Sequence, residues 1–375
     1  MIHWKIAVCL GACVFVKSVA FAQTTNNQSK DIHAPVRIAF LPGLSSQGKN
    51  DKYTTSNLSL NVLGGTTGGV NGVELGGLFN INKKNMQGIQ AAGYFNITGG
   101  NVNGIQMAGW FNGVNGNATG IQYGGIINYV KKDMRGLQTA GIYNQTSGNL
   151  TGAQMGGTCN YTRGSVKGMQ LAGIVNINDN SLNGVQIAGI LNYTKHLKGL
   201  QLGLINIADT SGGYSIGLIN IVRKGGYHKV TVSTNEILNT NLAIKTGNAK
   251  LYNILMVGVN AGNDEKSFSY GYGIGHEIKA GKLLTVNPEL TSQYLYLGNW
   301  NYSNVLNRFQ VLATVKLAKG IALFAGPSFS IYYSDQPEAV KGYKYLVPDD
   351  NYHTYDLWNN NVTGWIGWTA GISFL

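Results

Sequence analysis

The sequence predicts an all-β chain. Three observations carry this: a glycine-led unit recurs every sixteen residues, apolar and polar residues alternate inside each unit, and only 12% of residues are charged while 53 of 375 are glycine. Period-two alternation is the signature of an extended strand. Several glycines in each unit argue against helix, since each costs about 1 kcal/mol there relative to alanine.

The N-terminus reads as an export leader over residues 1–22. Lys5 closes a short basic start, Ile6 to Val16 is mostly apolar, and Ala20-Phe21-Ala22 is a small-x-small cleavage site before Gln23. Leu10-Gly11-Ala12-Cys13 also resembles a lipobox, a rival reading weakened by the apolar residues that follow it. No other stretch reaches the ~18 apolar residues of a transmembrane helix. Only Cys159 lies beyond the leader, so the mature chain has no internal disulfide and no cysteine metal site.

An N-terminal segment, 23–55, precedes the tandem region, 56–222. Glycine opens a repeat at Gly72, Gly88, Gly104 and onward to Gly184 in steps of sixteen, with shortened copies from Gly199 and Gly213. Gln recurs two residues after each opening glycine up to Gln201, with Glu74 in its place in the first copy. Asn recurs from Asn80 through Asn192, then at Asn206 and Asn220. Fixed-period self-similarity of this kind denotes repeat architecture. In the copy from Gly104, Ile105, Met107, Gly109 and Phe111 fall on one face of a strand, and Gln106, Ala108, Trp110 and Asn112 on the other. Turn chemistry separates the copies, as in Lys131-Lys132-Asp133 and Ser147-Gly148-Asn149.

Two architectures satisfy this pattern. The favoured one is an outer-membrane-type antiparallel β-barrel in which each repeat is one spanning strand, its apolar face toward lipid, its amide face toward a wet lumen, and Tyr129, Tyr161 and Tyr193 in an aromatic girdle. The alternative is a β-solenoid, followed by a smaller barrel, in which each repeat is one coil and the Gln and Asn side chains stack as ladders. The one-residue contraction between Gln201 and Asn206 suggests a β-bulge at the Ala-Gly pair.

The C-terminal region, 223–375, lacks the repeat but keeps the alternation. Strands are expected at 228–236, 239–246, 249–259, 267–277, 283–294, 306–317, 320–333 and 363–375, with turns at Gly247-Asn248, Gly262-Asn263 and Gly281-Lys282. Residues 334–361 read as a long exposed loop. The chain ends on an alternating strand with an aromatic next to last, as closing strands of outer-membrane barrels do. Eleven repeat-like strands and eight later ones would give about nineteen, an odd number at variance with an even-stranded barrel.

The strings Gly199-Leu200-Gln201-Leu202-Gly203-Leu204-Ile205-Asn206 and Gly217-Leu218-Ile219-Asn220-Ile221-Val222 resemble the surface repeat-containing proteins of Leptospira and Bacteroidetes. Asn57 to Gly65 and Phe324-Ala325-Gly326-Pro327-Ser328 are similar to the Bacteroidetes branch. The resemblance implies an exported, outer-membrane protein and carries no functional residues.

No catalytic, cofactor-binding or metal-binding constellation is legible. The histidines are scattered, and His276-Glu277 has no nucleophile that can be placed beside it. Asp335, Asp349, Asp350 and His353 share the long loop, a weak cation site at most. Trp110 and the repeated aromatics suit stacking on sugars or plain packing equally well. The formal charge of +12 reads as a basic loop surface, with contact to anionic lipid or polyanions as the sharper version. No nucleic-acid module is present. The expected function is structural, pore-like or surface display at the outer membrane, with lipid as partner; a secreted or tethered solenoid used for adhesion is the second reading, and a small outer-membrane enzyme the third.

Overall fold

The computed structural model describes residues 31–260, 265–357 and 361–374. The leader, its cleavage after Ala22, Cys13 and the Gly262-Asn263 turn lie outside the described residues. The chain divides into two compact units, residues 1–203 and 204–375.

The first unit is a parallel β-solenoid. Each repeat makes one coil of two short strands, as in Val102–Ala108 and Phe111–Val114. Coils stack in register, so Gly104 faces Gly120, Gln106 faces Gln122, and Asn112 faces Asn128. This corrects the reading of the repeats as antiparallel spanning strands. Their amide face is dry: Gln106, Asn112 and their equivalents have no exposed surface. The face assignment also changes at one residue. Gly109 and Trp110 form the corner between the two strands, so alternation restarts there and Trp110 points outward, 58% exposed. The Ala-Gly pair marks this corner and not a bulge. Tyr129, Tyr161 and Tyr193 occupy one position of alternate coils, with Gln145 and Ile177 between them, and form no membrane girdle; Tyr193 is buried.

The opening glycine is fixed by contact with the coil below it. Gly120 has φ of 120°, and a Cβ there would lie 2.0 Å from the carbonyl oxygen of Gly104. Only a residue with no side chain tolerates both the left-handed backbone and this approach. An apolar column closes the rest of the interior, including Met86, Val102, Met134, Leu150, Val166 and Leu182. The stack starts before the first glycine-led repeat, where Ile32–Leu41 pairs in parallel with Thr54–Asn61.

The second unit begins with short parallel strands, Ile205–Ser211 and Ile219–Val222, in register through Asn206 and Asn220. An antiparallel barrel of eight strands follows: Tyr227–Asn235, Thr240–Asn248, Leu251–Asn260, Ser267–Gly275, Leu284–Tyr296, Asn304–Ala318, Ile321–Ser334 and Val362–Phe374. Each pairs with the next, and Val362–Phe374 returns to Tyr227–Asn235, with Ser373 opposite Thr231. The sheet therefore has no open edge along its length. All eight match strands expected from the alternation, and the even number removes the conflict raised by counting repeats as barrel strands.

Candidate functional site

The solenoid interior holds two amide ladders that run in opposite directions. Gln90 donates Nε2–H to Glu74 Oε2 at 2.8 Å, Gln106 donates to Gln90 Oε1 at 2.8 Å, and each later Gln donates back to the one before it, through Gln201. The Asn series points forward. Asn61 donates to Asn80 Oδ1 at 2.7 Å, Asn80 to Asn96 at 2.9 Å, and so on through Asn176 to Asn192. From Asn80 onward the second N–H of each Asn crosses the coil corner to a backbone carbonyl, as from Asn112 to Tyr123, whereas Asn61 gives its second N–H to Glu74 Oε1.

The ends of the ladders explain their directions. A carboxylate accepts only and a guanidinium donates only. Glu74 can therefore receive Gln90 but not reciprocate. Arg37 donates Nη1–H to Asn61 Oδ1 at 2.6 Å, which turns the Asn61 amide nitrogen toward Asn80. Arg37 is itself held by Asp51 through two bonds, 2.8 and 3.0 Å. Burial pushes the Glu74 carboxyl above the usual carboxylate range, against the lowering effect of its amide donors and Arg37.

The outer surface of each coil is divided. Residues equivalent to Ile105, Met107, Trp110 and Phe111 form a wall without a charged side chain from Val73 to Leu202. Much of it is open, with Ile89, Tyr123 and Ile190 exposed. The opposite corner is polar and carries the exposed Arg135, Lys131 and Lys132.

The barrel has reversed polarity. Its outward positions are large and apolar, among them Val232, Ile244, Leu290, Phe309, Leu323 and Ile372, all exposed. Its inward positions are polar. Lys245 pairs with Glu289, which also accepts from Tyr252 at 2.7 Å and Gln310 at 2.9 Å. Arg308 donates Nη2–H to both oxygens of Glu236 at 2.8 Å, and Trp365 donates Nε1–H to Glu236 at 3.0 Å. Side chains fill the interior; a cavity beside Lys245, Glu289 and Arg308 measures about 30 Å³. Ile237, Leu238 and Val347 enter from the loops to pack with Leu306 and Trp365, closing one mouth. At that end, outside the wall, Tyr270 stacks on Tyr294 and Tyr296 lies against Trp300.

The polar lumen was not singled out from the sequence. The signal was there as parity: Lys245, Glu289 and Arg308 each stand alone on the non-apolar side of an alternating strand. The loop candidates do not assemble. Lys344 takes Asp349 at 2.8 Å, Asp335 accepts from the Ser303 backbone, and His353 lies edge-on to Tyr355. Glu277 is held by Lys229 at 2.9 Å, while His276 meets the Lys250 carbonyl. Among the described residues no three His, Cys, Asp or Glu side chains gather where a metal ion could bind. No helix among them is long and apolar enough to cross a membrane, which does not bear on crossing by strands.

No family model, curated protein or solved structure matches the chain.

Proposed function

We propose that this is an exported, non-enzymatic protein of the outer membrane in which a closed eight-strand barrel anchors a β-solenoid that serves as a structural or binding module. The inverted polarity of the barrel carries the reading. Ion pairs and amides line the inside, and an apolar belt covers the outside, the arrangement of a barrel that spans lipid. Strands of nine to fifteen residues suffice, since about 9–11 tilted residues cross a bilayer. Tyr270, Tyr294, Tyr296 and Trp300 suit the aromatic girdle at one interface. A packed lumen stoppered by Ile237 and Leu238 supports an anchor and not a pore. The leader pattern and the resemblance of the repeats to surface repeat-containing proteins support export.

Extraction and gel migration test the reading. The folded protein is expected to require detergent, to migrate differently before and after boiling, and to give no stable conductance in planar bilayers. Purification as a detergent-free soluble monomer would favour a secreted solenoid instead.

A further inference from the structure

From the second unit we infer that the apolar wall of its own coil, Leu204, Tyr214, Ile216 and Leu218, is a lipid-contact surface. This deepens the anchor reading and rests on it.

The last coil packs against the outside of the barrel. Asn253 and Thr246 are outward residues near one barrel end, and the last coil covers them: Asn220 donates Nδ2–H to Asn253 Oδ1 at 2.8 Å, and its backbone N–H reaches Thr246 Oγ1 at 3.2 Å. The coil is not free to rotate there. Its polar turn binds the extreme end of the barrel, where Asn248 donates to Ser211 and Gly213, and Lys250 to Gly212. Its apolar corner, Ile216-Gly217-Leu218, lies further up the wall, where the outward Tyr272 donates its hydroxyl hydrogen to the Gly217 carbonyl at 3.2 Å. Tyr272 pairs with Leu255, two residues above Asn253 along the strand. The apolar corner is therefore turned toward the lipid belt, and the polar turn away from it.

The chemistry of the wall fits one occupant. Leu204, Tyr214, Ile216 and Leu218 are all exposed in the second unit. A contiguous exposed apolar surface of this kind marks a membrane or protein interface. These four side chains offer no charged group to orient a protein partner. The barrel end that holds the coil also carries the tight turns, Ala249-Lys250 and Lys319-Gly320. Short turns are the periplasmic end of barrels of this class. The lipid is then the inner, phospholipid leaflet.

The test uses the full chain, with Cys9, Cys13 and Cys159 replaced by serine, reconstituted in phosphatidylethanolamine–phosphatidylglycerol vesicles. An environment-sensitive fluorophore is placed singly at Ile216→Cys and Leu218→Cys on the wall, Gly212→Cys on the polar turn, and Phe309→Cys on the barrel belt. Lipids brominated at defined depths are the quenchers. Wall labels are expected to be blue-shifted and quenched most by shallow bromines, at about 5–10 Å below the head groups. Gly212→Cys should stay unquenched. Quenching at Phe309→Cys with none at either wall label overturns this inference and leaves the anchor standing; no quenching at Phe309→Cys overturns the anchor. Wall labels that are blue-shifted yet unquenched, with a shift that grows with protein-to-lipid ratio, would assign the wall to a second copy of the chain and overturn the lipid contact.

Discussion

Asn220 donates to Asn253 across 2.8 Å, so an amide of the coil interior is received by a side chain on the outer wall of the barrel. A buried amide must find a partner or lose about 1–3 kcal/mol. Asn253 serves as that partner and passes its own Nδ2–H to the Leu218 carbonyl at 2.5 Å. Asn253→Leu should leave one Asn220 N–H unpaired, the other still held by the Ser215 carbonyl, and weaken the coil at Ile219–Val222 first. Amide exchange is expected to rise there while the barrel strands stay protected; unchanged exchange at those residues would contradict the relay.

Within the solenoid, Gln122→Leu removes an acceptor from Gln138 and a donor from Gln106. The expected loss is roughly 1–3 kcal/mol for each group left unpaired. Ile121→Ala, on the outward wall of the same strand, should change water-phase stability by less, within about 1 kcal/mol, because its side chain is already exposed. Denaturant unfolding of the two variants compares them directly.

Glu74 makes stability depend on acidity. Its folded carboxyl binds a proton more tightly than the unfolded chain does, chiefly through burial. Between the unfolded value, about 4.3, and the raised folded value, the native state holds the extra proton, so stability falls as pH rises through this window. Glu74→Gln should flatten that part of the melting-temperature profile. An identical slope in both proteins would show that the carboxyl is not the group responsible.

Gly120→Ala places a methyl group 2.0 Å from the Gly104 oxygen at a φ of 120°. Backbone strain alone costs about 1–3 kcal/mol. Gly281→Ala has nothing within 4 Å and should be nearly silent. Comparable melting temperatures for the two variants would refute the in-register stacking.

In the barrel, Glu236→Gln leaves Arg308 buried without its charge partner, and the expected loss is about 3–5 kcal/mol. The double variant Glu236→Gln with Arg308→Met should recover much of it. The temperature at which the folded gel band disappears reports both.

The repeat was legible because identical residues at fixed spacing had to meet identical environments. Its fold was less so, for a specific reason. Ile105 to Asn112 alternates in the same way whether it is one spanning strand or two strands around a corner, and only Trp110, facing out of phase, records the break. The dryness of the Gln column likewise depends on the coil above and below, which spacing alone does not place. The eight barrel strands were legible because each keeps one apolar parity from end to end. The lumen pairs were not, since Glu236 and Arg308 come from distant segments that meet only once the barrel closes.

The most direct test of the membrane barrel is the unfolding free energy of Phe309→Arg in phospholipid vesicles. Phe309 is 51% exposed on the outer wall, where arginine facing water would be nearly neutral. If the belt lies in lipid, the substitution costs about 2–4 kcal/mol near the bilayer midplane. Unchanged stability, in a protein that also folds without lipid, would contradict the anchor.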